Sequence, residues 1–314
     1  MADEQGRIQI RDSTLREGLD TPGVAFSDAQ KRRILGALED AGVPECEVVA
    51  PSRVKADLEF VKAFRREGAA VRLTGLVYAY SDDFDAEVEE AERWLDRLDV
   101  LVPLSEARRP HGRGEKLKLV SDALRRAAPR AREVGVGFPH STQAEPGFLF
   151  EMVQEAAGSG AARVTLYDTN GSAEPFGLCD RIGPLAAGAG VPLFFHGHND
   201  LGLATANALA AVRAGARGLD LTVNGIGDRA GNASLEQVAL CLALRGIHTG
   251  IALDKLGMLS DLVARESGVP VSKLAPVVGE YVFSHKSPSH LELPALFEAF
   301  DPSVTGVERK LTRS

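Results

Sequence analysis

His196 and His198 stand two residues apart in Phe195-His196-Gly197-His198-Asn199, at the end of a short apolar run. Residues i and i+2 of a strand point to one face, so both imidazoles reach a single ion. Two imidazoles plus one carboxylate suit zinc, manganese or iron, and a catalytic site leaves further positions open to substrate. The segment that ends the first apolar run, Arg11-Asp12-Ser13-Thr14-Leu15-Arg16-Glu17-Gly18, supplies two acids for that third position, Asp12 and Glu17. Gly18 and the turn Thr21-Pro22-Gly23 argue against a helix there, so the segment reads as a loop held over a site. Gly225–Asn232 carries three glycines in eight residues, as a backbone that approaches a ligand closely requires. Asp168-Thr169 and Glu47 also end or interrupt apolar runs. His285 and His290 lie in a polar tail segment, where residue type alone points to solvation.

Eight short β-rich runs could position these groups: 8–10, 46–50, 71–78, 98–104, 134–138, 163–167, 193–196 and 219–223. Segments of helical periodicity alternate with them, among them 28–41, 86–96, 115–133, 148–158, 203–214 and 235–245. Ser27 with Gln30, and Ser234 with Gln237, read as capping boxes. Alternating strands and helices imply a parallel sheet with right-handed crossovers. Eight such units predict an α/β fold, a closed (β/α)8 TIM barrel, with the site at the C-terminal ends of its strands. No G-x-G-x-x-G follows the first strand, which disfavours a doubly wound dinucleotide fold. The barrel is expected over residues 1–248. Residues 249–314 are expected to form a short C-terminal helical lid or dimerisation arm, with helical pieces at 251–267 and 294–300.

Composition sets the outer bounds. The chain has 314 residues, 44% hydrophobic and 25% charged, enough for an ordinary globular core. Its net charge of −8 disfavours nucleic acid, since phosphate binding needs a basic surface. Cys46, Cys179 and Cys241 are odd in number and show no C-x-x-C spacing, so a reducing cytoplasm is expected. No signal-peptide pattern and no membrane-length apolar run are read.

The motifs together resemble the acetyl-CoA-dependent Claisen-condensing branch of the metal-dependent TIM barrels, the family of homocitrate synthase, isopropylmalate synthase and HMG-CoA lyase. D-S-T-L-R-E-G at 12–18 is similar to the homocitrate synthase signature, H-G-H-N at 196–199 to the family's H-x-H-N, and G-I-G-D-R-A-G-N-A-S-L-E at 225–236 to its G-x-G-E-R-A-G-N-x-x-L-E. The resemblance implies a divalent metal (Mg, Mn or Zn) on Glu17, His196 and His198, with Asn232 as ligand or near-ligand. It implies catalytic roles for Arg16, which would steady the developing enolate or alkoxide, and for Glu47, which would order the site. It implies that Thr169 holds a 2-oxoacid carboxylate. Asp20, His140 and Arg229 are the other expected substrate-binding residues. His290 falls at the end of a tail motif, Phe283–His290, and would be the histidine a partner subunit delivers. The implied partners are acetyl-CoA, a small 2-oxoacid and a second copy of the chain, in a homodimer with tail exchange.

The departures bear on the acceptor. Leu19-Asp20 replaces Glu-Gln, Phe138-Pro139-His140-Ser141 replaces the arginine-bearing motif of the fifth strand, and Phe297-Glu298 replaces Tyr-Glu. The expected acceptor is therefore not 2-oxoglutarate but a small 2-oxoacid with an anionic end, such as oxaloacetate or phosphonopyruvate. His140, with His111 or Arg113, is the expected reader of that end. Two competing readings are a lyase or aldolase on the same barrel and a metal-binding barrel without activity. The first is disfavoured because no cysteine lies between Cys179 and Cys241.

Overall fold

The computed structural model describes residues 7–51, 54–68, 71–107 and 112–311. Strands β1 Gln9–Asp12, β2 Glu45–Val49, β3 Arg72–Tyr78, β4 Arg97–Leu101, β5 Val134–Phe138, β6 Val164–Asp168, β7 Leu193–Gly197 and β8 Gly218–Leu221 run parallel. They close in chain order, with Gln9 of β1 opposite Gly218 of β8. The intervening helices are α1 Asp28–Asp40, α2 Val54–Arg66, α3 Phe84–Glu92, α4 Arg113–Ala127, α5 Pro146–Gly158, α6 Pro175–Gly188, α7 Ala204–Arg213 and α8 Leu235–Leu244.

Local sequence sets several of these boundaries. Ser27 and Gln30 form the expected reciprocal capping box at α1. At α8 only half of it forms: Ser234 accepts from the Gln237 amide, while the Gln237 side chain accepts from Thr205 instead. Helices α5 and α6 each open on a glutamate cap followed by proline, whose missing N–H costs nothing at that position. The run 98–104 leaves β4 after Leu101, yet Val102 and Leu104 still donate to the Gly137 and Pro139 carbonyls.

The barrel interior is ionic below and apolar above. Arg11 chelates Asp220 (2.8 and 2.5 Å) and reaches Asp99 at 2.6 Å. Arg163 and Arg97 hold Glu45 at 2.8 and 2.5 Å. All six of these side chains are buried. Removing one partner from such a set costs about 3–5 kcal/mol, because a charge is left without its counter-ion. Burial alone would push the Glu45 and Asp220 carboxyls up, but the guanidiniums outweigh it and hold both well below the usual carboxylate range. Strand β5 makes room for this content. Its inward positions in Val134-Gly135-Val136-Gly137-Phe138 are the two glycines. A Cβ on Gly135 would meet Asp99 and Arg163, and one on Gly137 would meet Leu101 and Tyr167.

Residues beyond 248 do not separate cleanly from the barrel. A 3-10 turn at Leu253–Lys255 leads into α9, Leu256–Ser267, rather than one helix from 251. Leu256, Leu259 and Val263 of α9 belong to the main hydrophobic core. Ser260 pins both ends of the Asn224 amide. The remaining tail carries the short helix α10, Pro288–Glu292, and a two-stranded parallel pair, β9 Ser284–His285 with β10 Lys310–Leu311. The helical piece expected at 294–300 is a single 3-10 turn, Pro294–Leu296.

Candidate metal centre

His196 is the penultimate residue of β7, and His198 follows the strand directly. Both are buried and both turn Nε2 toward Glu17, at 3.9 Å for His196 and 3.5 Å for His198. Glu17 opens a 3-10 turn, Glu17–Asp20, whose first amides fold back on Ser13: Arg16 and Glu17 both donate to its carbonyl. The sequence therefore placed the ligand in a loop, and the loop contains one short turn. One ligand atom from each of Glu17, His196 and His198 fits within a span of 4.8 Å. Bonds of about 2.0–2.2 Å to one ion set neighbouring ligand atoms roughly 3–3.5 Å apart, so this triad needs only slight contraction. Asp12, the other acid considered, lies elsewhere and accepts from Thr14.

The protonation states suit ligation. Burial pushes His198 down to about 2, helped by the permanent charges of Arg229 and Arg16. Burial lowers His196 as well, against the pull of Asp220. Both imidazoles are then neutral. The Asn232 Nδ2 donor lies 3.0 Å from His196 Nε2, so Nε2 is the acceptor and Nδ1 carries the proton. Nδ1 faces Asp220 Oδ2 at 3.4 Å, long for a hydrogen bond but close for a charge. That tautomer leaves Nε2 for an ion, and a carboxylate behind a ligating histidine is the usual means of fixing it. The buried Asn232 Oδ1 has no hydrogen-bond partner among the described residues. Turning the amide over would present it to the same ion. The donor set therefore fits a divalent metal with three or four protein ligands.

The loops around the triad are tied together. Thr21 donates to the Gly227 carbonyl, and Thr14 accepts from the Val223 amide. Asn224 and Arg229 adopt positive φ angles of 58° and 55°. The Gly225–Asn232 loop folds back so that Asn199 donates to Gly231 and Asn232 pairs with His198. Gly227 must lack a Cβ because Asn232 Oδ1 occupies that place.

Other expected site residues divide into two groups. Arg16 and Glu47 join the triad. Arg16 Nε donates to Glu47 at 2.5 Å, its Nη1 contacts Glu17, and Glu47 also accepts from Ser13 at 3.0 Å. Thr169 accepts from the His140 amide at 2.8 Å, which leaves its hydroxyl proton for another acceptor. That contact holds His140 at a positive φ of 63° on the rim. Asp20 is exposed at the end of its turn. Arg229 is engaged by Asp200, Asp228 and the Thr169 carbonyl. Arg113 pairs with Glu145 and covers the Phe148 ring, on the outside of the barrel. His111 lies outside the described residues. Of the expected readers of an anionic acceptor end, Arg113 is thus directed elsewhere, while His140 stands on the rim. His290 stacks on Phe297 at 3.7 Å and meets His285 edge-on, and His285 bonds Glu298 at 3.0 Å. Phe297 thus supplies a face to His290 but no hydroxyl.

Three residues at the site were not singled out from sequence: Asp220, Arg11 and Tyr167. The signal for the first two was present. Asp220 is a lone charge inside an apolar strand, and Arg11 continues the inward face of β1 one step past its apolar run, next to Asp12.

A family model described as HMGL-like matches residues 7–263. Homocitrate synthase 1 of Nostoc sp. is 34% identical over 97% of this chain and 82% of its own length. The 2-isopropylmalate synthase of Sulfolobus acidocaldarius is 33% identical over 97% of this chain and 81% of its own. Among solved structures, the hydroxymethylglutaryl-CoA lyase of Pseudomonas aeruginosa superposes with a TM-score of 0.71 at 20% identity, covering 84% of this chain and 94% of that one. At that identity the likeness bears on the fold alone.

Proposed function

The chain belongs to the HMGL-like family, and from that premise we propose that it condenses acetyl-CoA with the keto carbon of a 2-oxoacid, releasing CoA and a 2-hydroxy-2-carboxymethyl acid. The observation that carries this reading is the Glu17, His196 and His198 triad with Arg16 beside it at the mouth of the barrel. The synthases among its relatives support it over a lyase, since they match nearly the whole chain at a third identity.

A divalent ion on Glu17, His196 and His198, with Asn232 as a fourth ligand, would polarise the acceptor carbonyl as a Lewis acid. The chain's own residues account for the rest. Thr169, whose hydroxyl accepts from the His140 amide, would donate its proton to the acceptor carboxylate. A base removes a proton from the acetyl methyl group, and the carbanion equivalent forms the new C–C bond at the keto carbon. His290 is our choice of base, delivered from a second copy of the chain, and its stack on Phe297 would fix its ring plane. Arg16, held by Glu47, stabilises the alkoxide as it develops, by charge set in place beforehand. Water then cleaves the thioester, leaving a carboxylate and free CoA. Asp20, His140 and Arg229 would order the rim rather than meet the acceptor's far end.

The test is thiol release by metal-loaded protein with acetyl-CoA and a panel of 2-oxoacids, with and without chelator. We expect release that depends on both metal and acceptor. No release with any acceptor, or release indifferent to chelator, refutes the reading. Glu17→Ala and His198→Ala should each lose bound metal. Full metal content in either variant would place the site elsewhere.

A further inference from the structure

We propose that Tyr167 is the specificity-determining residue of the acceptor subsite, its ring limiting acceptors to 2-oxoacids with a small, uncharged side chain of about pyruvate size. This rests on the reading above. Tyr167 points into the barrel from β6, and its ring centroid lies 4.7 Å from that of His196, tilted by 33°. An acceptor held against the triad therefore has this ring as its immediate neighbour.

The ring belongs to a small apolar group of its own. Leu76 of β3, Leu101 of β4 and Tyr167 form a cluster separate from the main core, with Tyr78 packed against it. This layer sits across a barrel whose lower interior is ionic. It is nearly closed: Leu76, Leu101 and Tyr167 are 1%, 4% and 5% exposed. The ring is also wedged. A Cβ on Gly137 would stand 2.8 Å from Tyr167 Cε2 and 2.5 Å from Leu101 Cδ2, so glycine at this inward position is what admits the ring. On that side the ring already lies against the strand and cannot retreat further to admit a longer acceptor.

Charge sharpens the selection. A distal carboxylate reaching this wall would be desolvated against leucine and tyrosine carbons, and Arg16, whose charge reaches the ring, is already paired with Glu47 and Glu17. Arg11 and Arg163 lie below and are saturated by Asp220, Asp99 and Glu45. The Tyr167 hydroxyl is buried and has no hydrogen-bond partner among the described residues. We assign the role to the ring, and Tyr167→Phe tests the hydroxyl separately.

The experiment compares Tyr167→Phe and Tyr167→Ala with the wild type, metal-loaded. CoA release and calorimetric binding of the acceptor alone are both measured, over glyoxylate, pyruvate, 2-oxobutyrate, 2-oxoisovalerate, oxaloacetate and 2-oxoglutarate. We expect the wild type to rank pyruvate and 2-oxobutyrate first. Tyr167→Phe should keep that ranking and melt at the same temperature or higher. Tyr167→Ala should shift preference toward the longer acceptors by about 10- to 200-fold per methylene accommodated. If Tyr167→Ala does not fold, Leu101→Ala opens the same wall from β4 and should shift the ranking the same way. An unchanged ranking in the opened variants, or a wild type that prefers 2-oxoglutarate, overturns the proposal. Binding that follows this size ranking without any CoA release would instead sink the condensation and leave the role of Tyr167 standing.

Discussion

Asp220→Asn is the sharpest single test of how the metal centre is built. The Asp220 carboxylate accepts from Arg11 Nε at 2.8 Å and Arg11 Nη2 at 2.5 Å and faces His196 Nδ1 at 3.4 Å. An amide of the same shape has one acceptor oxygen and one donor nitrogen, so it cannot serve all three. If its nitrogen turns to His196, the imidazole proton is driven to Nε2 and the lone pair for the metal is lost. If its nitrogen instead takes the Oδ1 place, Arg11 loses the bond from Nε, keeps the one from Nη2, and still faces Asp99 at 2.6 Å and Glu47 at 3.4 Å. The first outcome should weaken metal binding by about 10- to 100-fold, or roughly 1.4–2.7 kcal/mol. The second falls on stability. It should reach only the lower end of the ~3–5 kcal/mol for a broken buried pair, because two acids remain. A loss of ~3 kcal/mol lowers the melting temperature by about 6–12 °C in a domain of this size. Calorimetric titration of metal-free protein with zinc or manganese reads the first, and a melting curve of the metal-free form reads the second. A variant that matches the wild type in both would show that Asp220 neither orients His196 nor anchors Arg11.

Other expectations follow from particular contacts. Burial raises the Asp12 carboxyl to about 7, against the opposing bonds from Thr14. The native state therefore keeps a proton that the unfolded chain has released, and Asp12 loses stability as pH rises from about 4 to 7, at up to ~1.4 kcal/mol per unit. Asp12→Asn should remove that slope in denaturation curves taken across this range, and an unaltered slope would mean Asp12 is ionised in the fold. Gly137→Ala adds a methyl against Tyr167 and Leu101, and urea titration should show a loss of about 1–3 kcal/mol. Equal stability would mean the ring is not wedged. If His290 acts across a subunit boundary, mixing inactive Glu17→Ala with inactive His290→Ala should restore about a quarter of wild-type activity, through sites that draw each intact group from a different chain. No recovery after subunit exchange would rule out delivery in trans.

Much of the architecture was legible because it rests on short-range physics. Period-2 and period-3.6 patterning located eight strands and the helices between them, and Ser27 and Gln30 announced α1 without help from any distant residue. The triad was legible as well, since His196 and His198 share a strand face and Glu17 sits in a motif of fixed spacing. The second capping box misled because Gln237 found a competing partner in Thr205, thirty-two positions away, which local rules do not see. The segment after 248 misled for a similar reason. Its helix α9 looked surplus to eight units, yet its apolar face is buried in the barrel's own core.

The sequence by itself determined the kind of site, through residue types at fixed local spacing: a triad that could hold a metal, an arginine beside it, and a barrel to carry them. Only the tertiary structure decided what surrounds that site. Asp220 reaches His196 from the next strand, Arg113 turns to the outside, and Tyr167 lies across a strand whose inward residues are glycines. None of these could be read from spacing along the chain. Closing the barrel sets which inward positions of different strands meet, and whether a side chain there has room is settled by the atoms its neighbours lack.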